Sequence, residues 1–249
     1  MSQETGIQWT DRSSNPLRYH NSSGTDVWSC VKYSAGCAHC YSETLALRFS
    51  KGKAFTAANM RELTPYVRKK ELKDLLSPKK TPTGCKVFLC DMTDLFGDWV
   101  TDAMIDKVMA VIAMRPDVTF QVLTKRAERM AEYVNGPYRA DAIQDSCRIA
   151  LDRMDFSIDY PMSWPLLNLW VGVSVENQQA AHERIPHLLR VPAAVRFLSV
   201  EPMLGPVDLE AVTHTVQPGY FGDSSRAIHC PGTPQQIEAL PKYPSIHWC

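Results

Sequence analysis

Short apolar runs alternate along this chain with segments whose composition and spacing favour helices. The strand-like runs are residues 27–28, 86–90, 118–123, 167–173, 195–200 and 245–249. The segments that favour helices are residues 41–49, 101–114, 126–134, 138–153 and 178–190. Good helix formers, or apolar residues at three- and four-residue intervals, are typical of these segments.

Strands that alternate with helices predict a parallel sheet or barrel with the helices outside. Six such units favour a partial, open barrel in one α/β domain that spans residues 1–249. Residues 1–29 are expected to form an N-terminal arm and the first strand. Residues 213–244 are rich in Pro, Gly and Ser, so we expect a loop or an insertion before the last strand.

The charge balance narrows the range of partners. The 27 Lys and Arg residues equal the 27 Asp and Glu residues, so no global basic field would recruit nucleic acid or a membrane surface. Any nucleic-acid contact is therefore expected to be local. No apolar stretch of the sequence approaches the roughly 18 residues of a membrane span, and the first residues lack a signal-peptide core. We expect a cytoplasmic protein that binds no membrane.

Three of the eight cysteines, Cys30, Cys37 and Cys40, lie within eleven residues as C-x6-C-x2-C. This spacing lets three thiolates surround one centre at little loop-closure cost. Three ligands favour a [4Fe–4S] cluster with one open iron, because a structural zinc site needs four protein ligands. A zinc site completed by a distant histidine, such as His20 or His229, is the alternative. The other cysteines inside or beside predicted elements are expected to be small core residues: Cys85, Cys90 and Cys147.

Polar side chains follow the predicted strands at the points where the strands end. In a parallel sheet or barrel these ends share one edge, and active sites gather there. The residues in question are Asp91, Asp94, Thr124, Lys125, Ser174, Glu176, Asn177, Ser199 and Glu201. Asp91 and Asp94 are alternatively caps of the following turn or helix. Glu201 is alternatively a loop residue that pairs with an arginine.

Seven short motifs occur together in a specific order. They are Trp9-Thr-Asp11, Asn15-Pro16, Gly36-Cys37-Ala-His-Cys40-Tyr41, Asp91-Met-Thr-Asp-Leu-Phe96, Leu123-Thr-Lys-Arg126, Gly172-Val-Ser-Val-Glu-Asn177 and Ser199-Val-Glu-Pro-Met-Leu204. With these motifs the chain resembles the phage Gp37/Gp68 family, which carries a three-cysteine motif and is similar to radical S-adenosylmethionine (SAM) enzymes. The resemblance implies a partial (βα)6 barrel of the radical SAM type.

The resemblance and the strand-end positions together imply a role for each candidate residue. Cys30, Cys37 and Cys40 would ligate a [4Fe–4S] cluster. The residues expected to bind SAM are Asp91, Asp94, Ser174, Glu176, Asn177 and Tyr41. Lys125 and Glu201 are the expected catalytic residues. The implied cofactors are the [4Fe–4S] cluster and SAM.

The implied activity is reductive cleavage of SAM to modify an unidentified substrate, with nucleic acid as one candidate class. An electron donor and a three-Cys-motif partner protein are the expected partners. The sequence departs from the pattern in two places: radical SAM enzymes typically have C-x3-C-x2-C, and the chain stops after its sixth strand, where the family continues. The alternatives are a zinc-stabilised phage binding module and an inactive, truncated barrel that retains the metal site.

Overall fold

A computed structural model describes residues 3–4, 6–151, 164–213 and 246–248. The strands in these ranges belong to two sheets. In chain order they are β1 (Gln3–Glu4), β2 (Arg12–Ser14), β3 (Leu17–His20), β4 (Asp26–Val27), β5 (Thr64–Val67), β6 (Lys86–Leu89), β7 (Thr119–Thr124), β8 (Leu169–Ser174), β9 (Val195–Ser199) and β10 (Ile246–Trp248).

Eight α-helices lie in the same described ranges, and they separate most of the strands from β5 onward. They are α1 (Tyr41–Phe49), α2 (Ala57–Met60), α3 (Lys69–Leu76), α4 (Asp102–Ala113), α5 (Ala127–Val134), α6 (Arg139–Leu151), α7 (Gln178–Leu189) and α8 (Leu209–Thr213). The five helices that the sequence predicts are α1, α4, α5, α6 and α7, and all five are confirmed.

The larger sheet has the strand order β1-β2-β6-β7-β8-β9-β10. Every neighbouring pair from β2 to β10 is parallel, and β1 pairs antiparallel with β2. The parallel strands therefore cross the sheet in the order in which they follow one another along the chain. The structure confirms an α/β fold with a parallel sheet. Its edge strands β1 and β10 do not pair with each other within the described residues, so no closed barrel is seen there.

Five of the six predicted strands are confirmed, and the first is wrong. Residue 27 belongs to β4 of the smaller sheet, whereas the first parallel strand is β2. Apolar patterning does not reveal β2, because its residues Arg12-Ser13-Ser14 contain no apolar side chain. Backbone pairing with β6 holds this strand in place, and the Cys90 amide extends the pairing by donating to the Ser14 carbonyl at 2.9 Å.

The smaller sheet has the antiparallel order β4-β3-β5 and is joined to the loop after β6 through Tyr19. Tyr19 is fully buried. Its hydroxyl accepts a hydrogen bond from Trp99 Nε1 at 2.7 Å and shares another with Thr93 Oγ1 at 2.6 Å. Strand β4 of this sheet ends at Val27, and the cysteine motif begins three residues later at Cys30.

The central strands of the large sheet are buried over consecutive residues. The buried residues of β6 to β9 include Val87, Phe88, Leu89, Phe120, Val122, Val171, Val173, Phe197 and Leu198. Consecutive burial is typical of parallel strands that are covered on both faces. Cys90 and Cys147 are buried, which confirms them as core residues, whereas Cys85 is half-buried.

Part of the predicted organisation falls outside the described ranges. Residues 214–245, which make up nearly all of the predicted loop or insertion, lie there, and so does His229. Across the ranges that the structure describes, no helix combines the length and the apolar character needed to cross a membrane.

Candidate functional site

The candidate site lies at the carboxyl edge of the large sheet. Since β2 and β6 to β10 are parallel, the loops that follow them leave the sheet on the same side. The predicted residues at the ends of β6 to β9 or just beyond them are Asp91, Asp94, Thr124, Lys125, Ser174, Glu176, Asn177, Ser199 and Glu201, of which Thr124 and Ser199 are the buried last residues of β7 and β9. The structure therefore places these residues along one edge of the sheet, where their contacts differ from one residue to the next.

The cysteine loop, residues 28–40, is tied to two of the strand ends. Arg126, which follows β7, donates from Nη2 to the Val31 carbonyl at 3.2 Å. Ser34 donates from its hydroxyl to the carboxylate of Glu176, which follows β8. A Cβ atom at Gly36 would lie 3.1 Å from Cδ of Glu176, so the backbone approaches this side chain closely. These contacts bring the cysteine motif to the ends of β7 and β8.

The three cysteines of the loop, Cys30, Cys37 and Cys40, are free and half-buried. Cys37 Sγ accepts a hydrogen bond from the Tyr33 amide at 3.5 Å, and Cys30 Sγ donates to the Val31 carbonyl at 3.7 Å. Burial raises the pKa of the Cys30 thiol to about 12. Among the described residues, no three His, Cys, Asp or Glu side chains are arranged to hold a metal ion. The thiols therefore share one loop without forming an assembled site.

Of the two histidines proposed for a zinc site, one lies in the described residues. His20 lies in β3, where its ring stacks on Tyr66 with 4.0 Å between the ring centroids. His229 falls outside the described residues. Within the described part of the chain, therefore, no histidine joins the three cysteines as a fourth ligand.

Asp94 is a buried carboxylate that is surrounded by hydrogen-bond donors. Its Oδ1 accepts from Thr124 Oγ1 at 2.7 Å and from the Phe96 amide at 3.0 Å. Its Oδ2 accepts from Arg126 Nη1 at 3.1 Å and from the Lys125 amide at 3.3 Å. Asp94 thus caps the turn that follows β6, as the alternative prediction had it, and it also fixes the loop after β7.

Arg126 connects this carboxylate to the cysteine loop. Its side chain is 5% exposed and carries the ion pair with Asp94 at one end. The guanidinium carbon also lies 5.0 Å from the ring centroid of Tyr33 and 4.7 Å from that of Trp99, within the range of cation–π attraction. Arg126 therefore joins a strand end, the loop after β6 and the cysteine loop.

Glu176 forms a second buried ion pair. Arg184 of α7 donates from Nη1 to Oε2 at 2.7 Å and from Nη2 to Oε1 at 3.2 Å, and its Nη1 also donates to the Ser174 carbonyl at 2.8 Å. Lys125 Nζ lies 3.8 Å from Oε2. Burial alone would raise the pKa of Glu176, but the hydrogen bonds from Arg184 and Ser34 and the charge of Lys125 outweigh it and lower that pKa.

Asp91 and Tyr41, both expected to bind SAM, are in contact with each other. The Tyr41 hydroxyl donates to the Asp91 carbonyl at 3.0 Å and lies 3.5 Å from Oδ2. Asn15, which follows β2, donates from Nδ2 to Asp91 Oδ1 at 2.6 Å. Burial raises the pKa of Asp91 despite these hydrogen bonds. The corrected first strand therefore contributes Asn15 to this group.

Three of the other predicted residues have distinct positions. Ser174 is buried, and its backbone carbonyl accepts from Arg184. Asn177 caps α7, since its Oδ1 accepts from the Ala180 amide at 2.9 Å. Glu201 is exposed in the loop after β9, and among the described contacts none links it to Lys125 or to an arginine.

Sequence reasoning did not find the role of Arg184. This residue is 1% exposed and lies on the buried face of α7 with Ala181, Ile185 and Leu188. A charged residue in the middle of an apolar helical face is a signal of a buried partner, because an unpaired buried charge is very costly. The sequence alone does not name that partner, which the fold supplies as Glu176.

A polar cavity of about 350 Å³ opens between the cysteine loop and the start of α7. Its lining includes Ser34, Ala35, Glu176, Gln179, Glu183 and Arg184. Cavities of this volume are at the lower end of the range for small-molecule sites. The space thus adjoins both the cysteine loop and the Glu176 ion pair.

The fold and the site define an α/β protein whose parallel strands lie in chain order and whose three-cysteine loop is bound to the carboxyl edge of the sheet. The chain belongs to a family described as "Protein of unknown function (DUF5131)", whose family model matches residues 4–236. No curated protein and no solved structure shows a significant match to the chain.

Proposed function

We propose that the chain is an iron–sulfur protein of the radical SAM type, with Cys30, Cys37 and Cys40 as the ligands of a [4Fe–4S] cluster. When bound, such a cluster supplies the electron that cleaves a carbon–sulfur bond of SAM and so starts radical chemistry on a substrate. One observation carries the proposal: a loop with three free cysteines is bound to the carboxyl edge of a sheet whose parallel strands lie in chain order. We further propose that the parallel sheet is part of a partial barrel of the radical SAM type.

The chemistry of the donor set fits this cluster. The three thiols are free and half-buried, so a cluster that they held would be partly shielded from water. Burial raises the pKa of Cys30, and the charge of Arg126 opposes that rise. The ammonium group of Lys32 interacts electrostatically with Cys37 and Cys40. Arg126 is therefore the cation that favours the thiolate form of Cys30, which is the form that ligates metal.

The two buried carboxylates are proposed to act through their partners. Asp94 and Glu176 already accept hydrogen bonds from protein groups at both of their oxygens. In this arrangement they hold Arg126 and Arg184 in place and with them the cysteine loop. We propose that these carboxylates contribute to SAM binding by shaping the site.

Other residues are available to contact ligands. The side chain of Lys125 is 17% exposed and offers a cation to the SAM carboxylate or to a substrate phosphate. Asp91 and Tyr41 offer hydrogen-bond partners for ammonium or hydroxyl groups. Glu201 is proposed as a second catalytic residue that acts on a substrate at the exposed side of the edge.

Anaerobic iron–sulfur reconstitution followed by electron paramagnetic resonance of the reduced protein tests the proposal. We expect a [4Fe–4S] signal in the wild-type chain that shifts when SAM is added. Cys37→Ala should abolish the signal. Cys85→Ala is the matched control, since Cys85 is also half-buried but lies just before β6, outside the cysteine loop, and it should retain the signal.

Two outcomes would decide against parts of the proposal. A protein that carries stoichiometric zinc and never takes up iron would refute the cluster and favour the zinc-stabilised binding module. A cluster whose signal is unaffected by SAM, with no 5′-deoxyadenosine formed, would refute SAM cleavage and favour the inactive barrel. If SAM is cleaved, single-stranded and double-stranded nucleic acids are the first substrates to test, with mass spectrometry of the digested strands as the readout.

A further inference from the structure

The segment between the first two cysteines is longer here than in a C-x3-C motif, and its middle residues contact α7 and a residue just before it. Tyr33, Ser34 and Gly36 make these contacts. The longer spacing therefore has a structural counterpart, which is a short stretch of loop that lies against α7 and the residues just before it.

Ser34 and Gly36 meet the buried carboxylate of Glu176. The Ser34 hydroxyl donates to Oε1, the same oxygen that accepts from Arg184 Nη2. Gly36 is buried against the side chain of Glu176. A Cβ atom at this position would lie 3.1 Å from Cδ of Glu176, so a larger residue would require the Glu176 side chain to shift. The ion pair with Arg184 holds Glu176 in a fixed position, so these contacts locate the backbone of the loop.

Tyr33 makes a second attachment one residue earlier. Its hydroxyl donates to Glu183 Oε1 at 3.0 Å. Its ring lies near two guanidinium groups, with the carbon of Arg126 at 5.0 Å and that of Arg184 at 5.4 Å from the ring centroid. The ring and the hydroxyl thus connect the loop to both α7 and the end of β7.

Both attached residues also hold Cys37. The Cys37 amide donates to the Ser34 carbonyl at 2.9 Å and closes the turn that contains the short 3-10 helix Ala35–Cys37. The Tyr33 amide donates to Cys37 Sγ at 3.5 Å. The position of the Cys37 thiol is therefore coupled directly to the two residues that bind α7.

We infer that Tyr33 and Ser34 fasten the cysteine loop to α7 through Glu183 and Glu176, and that these four residues position the Cys37 thiol. The inference rests on the proposed function only in treating Cys37 as a cluster ligand. Tyr33, Ser34, Glu176 and Glu183 are positioning residues, since they act on the cluster through Cys37. The x6 spacing supplies the residues that make the attachment.

Thiol alkylation of the full chain, measured at each cysteine by peptide mass spectrometry without added iron, tests the attachment directly. Ser34→Ala and Tyr33→Phe should each speed alkylation of Cys37 by about fivefold, the change expected in a local opening equilibrium when one hydrogen bond of ordinary net strength is lost. Ser34→Thr keeps the hydroxyl and should restore the wild-type rate, which general loss of packing would not allow.

Cys85 serves as the internal reference, because it is half-buried and outside the loop. Its alkylation rate should not change in any of these variants. Equal Cys37 rates in wild type, Ser34→Ala and Tyr33→Phe would overturn the inference, and so would a parallel rise at Cys85. Ser34→Ala and Tyr33→Phe should also take up less iron during reconstitution, whereas Ser34→Thr should match wild type. A wild-type chain that takes up no iron would refute the proposed cluster while leaving the alkylation comparison valid.

Discussion

Arg126 is one of the residues that hold the cysteine loop against the sheet. Its guanidinium pairs with Asp94 on one side and donates to Val31 of the loop on the other. Both members of the ion pair are buried, with side chains 5% and 8% exposed. Removing one partner of such a pair leaves an uncompensated buried charge, which is far more costly than losing an ion pair at the surface.

Asp94→Asn should therefore destabilise the protein at pH 7 by about 3 kcal/mol, because Arg126 would remain charged and buried without its carboxylate. Urea denaturation followed by tryptophan fluorescence gives the free energy of unfolding. The matched control is Asp98→Asn, whose carboxylate is 81% exposed and 3.9 Å from Arg126 Nε. The control should change the free energy of unfolding by less than about 0.5 kcal/mol. Equal effects of the two substitutions would contradict the assigned role of Asp94.

Glu176 makes a pH-dependent contribution to stability. Its pKa is lowered in the folded state, so the folded protein binds this proton more weakly than the unfolded chain. The stabilisation is therefore present above the unfolded pKa of about 4.3 and is lost as the pH falls through the lower folded value. Glu176→Gln should cost about 3 kcal/mol at pH 7, and its deficit relative to wild type should shrink below about pH 4.

Chemical denaturation of both chains across pH 3 to 7 is the measurement for this residue. Glu62→Gln is the control, since Glu62 pairs with Lys53 at the surface with 60% of its side chain exposed. The control should differ little from wild type at every pH, because surface ion pairs contribute weakly. A Glu176→Gln deficit that stays constant down to pH 3 would be inconsistent with an ionised, paired Glu176.

The sequence predicts the positions of several candidate site residues but not their pairing partners. The sequence predicts polar residues at strand ends, and Asp91, Asp94, Glu176 and Asn177 do lie there. It does not predict that Glu176 pairs with Arg184 or that Ser34 reaches Glu176 across 142 positions of sequence. Such pairings depend on which loops the fold brings together, and local spacing carries no information about that.

At the scale of elements, the contact between β8 and β9 depends on a residue without a side chain. Gly172 of β8 is the register partner of Phe197 of β9. A Cβ atom at Gly172 would lie 2.5 Å from the Phe197 ring, which is fully buried. The ring therefore occupies the space that a side chain on β8 would need.

Gly172→Ala should destabilise the protein by about 2 kcal/mol, because the buried Phe197 ring would have to move within a packed core. The shifts of the thermal and urea unfolding midpoints measure this destabilisation. Gly205→Ala is the matched control, since a Cβ there would meet only the Cβ of Asn177 at 4.0 Å. An unchanged midpoint for Gly172→Ala would show that the two strands have more room than their packing indicates.

The elements differ in how well the sequence reveals them. The strands β6 to β9 are apolar over consecutive residues, and α4 has apolar residues at helical spacing, so local patterning is sufficient for both. The strand β2 has no such pattern and exists because its backbone pairs with β6. Because β2 is the first parallel strand, Asn15, which follows it, lies at the candidate site. The sequence instead predicts that the first strand ends at residues 27–28.

At the scale of the whole molecule, the described cysteines differ in burial, and burial also acts within the loop, where it raises the pKa of Cys30 to about 12. Cys90 and Cys147 are buried in the core, at 3% and 7% exposure, while the three cysteines of the loop are half-buried. Burial raises the pKa of Cys147 to about 11 and raises that of Cys90 as well. Since the thiolate is the reactive form, the fold itself suppresses reaction at the core positions.

Alkylation of the native chain at pH 8 should therefore be slow at Cys147, by roughly a hundredfold relative to the urea-unfolded chain, because burial raises its pKa to about 11 and leaves far less thiolate at this pH. Cys90 should be at least as slow. Cys37 and Cys40 are more exposed and should react faster in the same sample, which provides the internal comparison. Peptide mass spectrometry gives the rate at each site, and similar rates in native and unfolded protein at Cys147 would contradict its place in the core.

The sequence by itself determined the alternation of strands and helices, the placement of polar residues at strand ends and the grouping of three cysteines in one loop. These features depend on local spacing, since a strand or helix needs its apolar residues at fixed intervals. Only the tertiary structure decided that β2 begins the parallel sheet, that Arg184 neutralises Glu176, and that Arg126 and Ser34 bind the cysteine loop to the strand ends. Each of these contacts joins residues that are far apart in the chain. Local spacing cannot predict them, because a strand backbone or a buried charge pairs with whichever partner the completed fold brings within reach.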